Sequence, residues 1–130
     1  MIVAGLVLAG LAALVHVYIF YLESIVWTSD KARAIFGTGS RGQAEVMKDL
    51  AFNQGFYNLF LALVTAIGIV ATSVGAPLVG LTMVFVGTGS MVAAGLVLLL
   101  SSPSKAAAAL KQLVLPALAV VALVIGLAVR

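Results

Sequence analysis

The sequence predicts an all-α integral membrane protein, an up-down bundle of four transmembrane helices. Three observations carry this reading. Of 130 residues, 64% are hydrophobic and 8% charged, where a soluble domain has about 25% charged residues. The apolar residues gather into four runs, each near the about 20 residues that cross a bilayer at a rise of about 1.5 Å per residue. The connections between the runs alternate between basic and uncharged. A mean hydropathy of +1.28 with only seven basic and four acidic residues excludes a water-soluble globular enzyme, a nucleic-acid-binding domain and a disordered chain. The runs are too long and alternate too little for strands of a membrane barrel.

Residues 1–130 read as a single membrane domain. The first helix spans about 2–27 and is interrupted only by His16, Glu23 and Ser24. It resembles a signal peptide in position alone, since no Lys or Arg precedes it and its apolar stretch is too long, so it is expected to be retained. A polar loop follows at about 28–44. Its stretch Gly37-Thr38-Gly39-Ser40-Arg41-Gly42 matches a GxGxxG pattern. That pattern signals a dinucleotide site only between a strand and a helix, so here it reads as a loop tip with a phosphate-facing Arg41. The second helix spans about 45–73 and begins before it enters the lipid, with Glu45 and Asp49 in its first turns. The connection 73–77 is so short that the second and third helices must be antiparallel neighbours. The third helix spans about 77–100, and its Gly87-Thr88-Gly89-Ser90 reads as close helix packing. Gly5, Gly10, Gly68, Gly80 and Gly95 read the same way, and such small-residue faces also admit a homo-oligomer. The fourth helix spans about 106–129, and Pro116 inside it is expected to weaken the backbone ladder and open a pocket.

Charge sets the orientation. Lys31, Arg33, Arg41 and Lys48 lie in 28–49, Lys105 and Lys111 in 101–111, and none in 73–77, while Arg130 ends the chain on the opposite side. The positive-inside rule then places loops 28–49 and 101–111 in the cytoplasm and both termini outside, for a multi-pass protein of the cytoplasmic (inner) membrane. With no cysteine and one histidine, no disulfide, thiolate site, metal site or cofactor is expected.

The candidate site consists of polar residues placed where lipid should be. His16 and Glu23 are seven apart and share a helix face, which Phe20 and Trp27 extend. Asn53, Gln54, Tyr57 and Asn58 form a broad polar stripe on the second helix. Matching depths across the antiparallel pair sets Glu23 against Asn53 and Gln54, and Phe20 against Tyr57 and Asn58. Gln112 enters at a similar depth on the fourth helix. Glu23 and His16 are the candidate proton-transfer groups, because a carboxylate and an imidazole are the side chains here that can exchange protons near neutral pH. Phe20, Trp27, Asn53, Gln54, Tyr57, Asn58 and Gln112 are the candidate ligand-binding residues. Each has a plainer reading beside it. The amides and tyrosine serve as interhelical hydrogen-bond glue, His16 is a satisfied core histidine, Trp27 is an interfacial belt residue and Lys111 is a positive-inside charge. Glu23 resists the plain reading most, since an acid in a span is costly and by default functional, although it lies close enough to the interface to snorkel.

Two strings carry a family resemblance: His16-Val-Tyr-Ile-Phe-Tyr-Leu-Glu23-Ser-Ile-Val-Trp27 and Asn53-Gln-Gly-Phe-Tyr-Asn58-Leu-Phe-Leu-Ala62. They resemble the signature of a small bacterial membrane family catalogued as domain of unknown function 1304. Ala94-Gly95 and Gln112-Leu-Val-Leu-Pro116-Ala117 are similar to its later segments. The family pattern continues after the Ala-Gly pair with a glycine and a threonine, where this chain has Leu98 to Leu100 and then serines. The resemblance covers most of the chain and implies the four-helix membrane fold; it implies no activity.

Three functions stay open. In the first, the polar pocket binds, and in one form chemically alters, a small apolar or lipid-like molecule arriving from the membrane, with membrane lipid as partner. In the second, the protein is a small proton-coupled exporter, a reading weakened by the position of Glu23 near its helix end and by the charge bias. In the third, it is a structural or accessory subunit and the stripe only joins helices.

Overall fold

Each apolar run becomes a helix because a backbone surrounded by hydrocarbon must satisfy its own hydrogen bonds. The computed structural model describes residues 1–129; Arg130, expected beside the 73–77 connection, lies outside the described residues. The helices are α1 (Ile2–Phe20), α2 (Asp30–Phe36), α3 (Arg41–Val46), α4 (Lys48–Ser73), α5 (Pro77–Ser101) and α6 (Ala106–Ala128). A π-helical turn, Tyr21–Ile25, prolongs α1, and a 3-10 turn, Pro103–Lys105, leads into α6. Four of these segments are long and apolar enough to cross a membrane: Ile2–Ile25, Lys48–Ser73, Pro77–Ser101 and Pro103–Ala128. No strand occurs among the described residues. The protein is an all-helical, multi-pass membrane bundle.

The four spans form a ring in which α1 packs on α4 and α6, and α5 packs on the same two from across. Successive spans run antiparallel, so the ends of α1 and α5 and the starts of α4 and α6 lie together. That end carries Lys31, Arg33, Arg41, Lys48, Lys105 and Lys111 and is called the basic end below.

Small residues set the spacing of the ring. The inward face of α1 is Gly5, Ala9, Ala12, Ala13 and His16, and its outward face is Val3, Val7, Leu11 and Leu14. This is the inverse of a soluble helix, as expected where lipid is as apolar as leucine and close backbone approach drives association. Away from the basic end, Ala9, Leu81, Val84, Ala119 and Leu123 form the core. Helices α4 and α5 approach most closely at their glycines. A Cβ at Gly68 would lie 2.7 Å from the Gly80 carbonyl oxygen, and one at Gly87 would overlap the Thr65 hydroxyl. Gly89 differs from the packing expectation, since nothing lies within 4 Å of the place its Cβ would take, and Gly10 meets only Ile69 at 3.8 Å. Gly126 and Gly55, by contrast, are closely covered, by Ile2 and by Ser24 with Glu23.

Three further differences concern the elements. The first α-helix ends at Phe20, where the Val26 N–H bonding back to the Tyr21 carbonyl marks the wider π turn. Segment 28–44 is not irregular, because Ser29 caps α2 and Ser40 caps α3, the latter with Gln43 in a reciprocal capping box. The GxGxxG stretch is thus the joint between two short helices, with Gly37 and Gly39 in left-handed conformation at φ 64° and 74°. Pro116 neither breaks nor ends α6; it is buried inside an unbroken helix.

Candidate functional site

The site lies at the basic end, where the π turn meets the start of α4. Ser24 and Gly55 bring the two together. The Ser24 hydroxyl donates to the Phe52 carbonyl at 2.8 Å, and a Cβ at Gly55 would overlap that hydroxyl and sit 3.1 Å from Cβ of Glu23. Only a glycine leaves room for this contact. Neither residue was singled out from the sequence. Gly55 lies inside the Asn53–Asn58 string, and its place at the centre of a polar stripe was the available signal.

The contact sets Glu23 beside Asn58. Asn58 Nδ2 donates to Glu23 Oε2 at 2.9 Å and to the Gln54 carbonyl at 3.2 Å. The second bond fixes the amide so that its other N–H points at the acid. A carboxylate can accept about four hydrogen bonds, and this is the only one Glu23 receives from side chain or backbone among the described residues. Its remaining capacity faces a cleft of about 150 Å³ lined by Glu23, Ser24, Ile25, Trp27, Thr28, Lys48, Asp49 and Phe52. Ile25 and Phe52 are exposed on its rim, so the cleft offers an apolar edge beside two carboxylates, Glu23 and Asp49, and the Lys48 ammonium.

The other expected members are placed differently. Asn53, Gln54 and Tyr57 are exposed, Tyr57 at 59%, because the face that α4 turns inward is Ala51, Gly55, Ala62, Thr65 and Gly68. Asn58 alone of the stripe falls beside that face. Depth matching is shifted accordingly: Glu23 meets Asn58, and Phe20 packs edge-on against Phe56, with centroids 5.1 Å apart. Trp27 is 8% exposed, and its indole N–H donates to the Ala44 carbonyl at 2.9 Å while the ring lies against Phe36. It anchors α2 and α3 to the bundle and gives one edge to the cleft. Gln112 is half-buried on α6.

His16 stands apart. It is 2% exposed and its Nδ1 lies 2.9 Å from the Ala12 carbonyl oxygen. A carbonyl only accepts, so Nδ1 carries the proton in this bond. Seven residues of helical rise set His16 about 10 Å deeper than Glu23, and no hydrogen bond joins the two. Among the described residues no three His, Cys, Asp or Glu side chains converge as metal ligands would.

A family model described as "Protein of unknown function (DUF1304)" matches residues 10–124, which include His16, Glu23, the 53–58 string and Gln112. No curated protein and no solved structure matches the chain.

Proposed function

The chain belongs to the DUF1304 family of proteins of unknown function, and we propose that it is a membrane-embedded binding protein for a small lipid-like amphiphile. The observation that carries this reading is the half-buried Glu23, oriented by Asn58 and facing a cleft rimmed by Ile25 and Phe52. An amphiphile whose polar head donates hydrogen bonds would fill the free acceptor capacity of Glu23 and rest its apolar part on the two exposed side chains. Leaving an ionisable group in a span without such a use is costly. Binding is favoured over chemistry because His16, the proton-transfer partner the sequence suggested for Glu23, lies two turns away and is bonded within its own helix. The exporter reading gains no observation of its own, since Glu23 sits in the last turn of its span and Leu22 and His16 are buried behind it. The charge distribution supports a cytoplasmic (inner) membrane location with the basic end in the cytoplasm, so the amphiphile would come from the inner leaflet.

The test is Glu23→Gln, which keeps the shape and the hydrogen-bonding ability but not the charge. Purified in mild detergent, the wild type is expected to retain an amphiphile identifiable by mass spectrometry of its lipid extract. Glu23→Gln should keep the melting temperature and lose that molecule. A variant that keeps both makes Glu23 and Asn58 a structural joint and ends the proposal.

A further inference from the structure

The outward face of the first span ends in a feature the cleft does not use. Val7, Leu11, Leu14, Tyr18 and Tyr21 follow one another three or four residues apart on the side of α1 turned away from the bundle, all exposed. The stripe is aliphatic until its last two members. Tyr18 and Tyr21 are stacked with centroids 6.5 Å apart and are 42% and 47% exposed. Tyrosines at that depth lie at the level where hydrocarbon gives way to headgroups. Lys31, in the first turn of α2, reaches back over them, its ammonium 5.5 Å from the Tyr18 ring centroid. The Tyr18 hydroxyl beside it holds the Lys31 pKa above the ordinary lysine value.

The basic residues of this connection are not alike. Arg33 is neutralised by Asp30, and Lys48 by Glu45. Lys31 and Arg41 have no carboxylate partner among the described residues, and of the two only Lys31 lies over an aromatic ring. It is a cation held in place by an aromatic face, uncompensated, directly above a strip that hydrocarbon must cover.

We propose that this face is a binding site for an anionic phospholipid, its phosphate taken by Lys31 and the Tyr18 hydroxyl and its acyl chains lying along Leu11 and Leu14. Charge complementarity selects an anionic headgroup, and the continuous aliphatic stripe selects a lipid over a soluble anion. The site is separate from the Glu23 cleft and stands whether or not that cleft binds an amphiphile.

The full chain is reconstituted in nanodiscs of phosphatidylcholine and phosphatidylglycerol in equal parts, and the lipids retained on release are counted by native mass spectrometry. The wild type is expected to retain phosphatidylglycerol in preference. Lys31→Gln should cut that preference about fivefold, the strength of one lysine contact to an anionic lipid; lipid merely drawn to the charged surface is lost on release, so the count reports only the bound one. Lys105→Gln, at the same end on the other connection, should leave it unchanged, as should added inorganic phosphate. Lys31 is exposed, so its variant should melt with the wild type in phosphatidylcholine alone. The proposal is overturned if Lys31→Gln retains the wild-type preference, or if Lys105→Gln loses as much, which would make the effect one of general charge. Displacement by inorganic phosphate would make the site one for free anions, which also overturns the proposal.

Discussion

Gly55 decides how near the first span comes to the second at the site, because Ser24 and Glu23 occupy the space its side chain would need. Gly55→Val should therefore force the π turn off α4 and lower stability by about 1–3 kcal/mol, the usual cost of overpacking, read as a lower melting temperature in detergent. Asn58→Leu removes one interhelical bond and should cost only about 0.6 kcal/mol, a difference the same melt resolves. That Glu23 needs a donor on the next span was legible in the sequence, but matching depths pointed to Asn53 and Gln54, whereas the donor is Asn58, one turn deeper. Asn53, Gln54 and Tyr57 are exposed instead, for a physical reason. Near the end of a span a polar side chain faces headgroups and water at little cost, so polarity there does not report which way the residue points. The face was instead written in small residues, Ala51, Gly55 and Ala62, which hydrophobicity alone does not distinguish from lipid-facing ones.

Helices α2 and α3 show the same difficulty at the level of elements. At seven and six residues they are too short for an apolar period to appear, and most helices of this length owe their stability to what they pack on. Their local signals were present all the same: Ser29 before Asp30, and Ser40 three residues before Gln43, the spacing of a capping box. Gly37 and Gly39 between them are equally the signature of an irregular loop. What they pack on is Trp27, which with Ala44 and Ala51 forms the core of this end. Trp27→Phe keeps a ring against Phe36 but loses the indole bond to the Ala44 carbonyl. It should cost about 1 kcal/mol, and amide hydrogen exchange should accelerate across Arg41–Val46 while the middle of α4 stays protected. Equal exchange in the wild type and the variant would mean that α3 is held by its cap alone. The long helices pose no such problem, because a run of about 20 apolar residues has only one way to satisfy its backbone in lipid.

For the whole molecule the open quantity is which end faces the cytoplasm, and two ways of counting charge weigh it differently. The basic end holds six Lys and Arg, but all four acidic residues, Glu23, Asp30, Glu45 and Asp49, lie there too. Counted as net charge, the bias is slight. Counted as Lys and Arg alone, the quantity the positive-inside rule weighs because Asp and Glu contribute little, it is strong and supports the proposed orientation with the basic end inward. The chain has no cysteine, so single cysteines report without background. Gly42 suits the basic end, since it is exposed and a side chain there meets nothing closer than the Ser40 hydroxyl at 3.9 Å, leaving the Ser40 cap intact. Val74, 76% exposed, suits the other end better than Gly75, whose φ of 98° a cysteine would resist. In intact cells an impermeant maleimide should label Val74→Cys at once and Gly42→Cys only after permeabilisation. The reverse pattern would turn the molecule over, and labelling of both in intact cells would mean that the four carboxylates offset the basic residues and the chain inserts both ways.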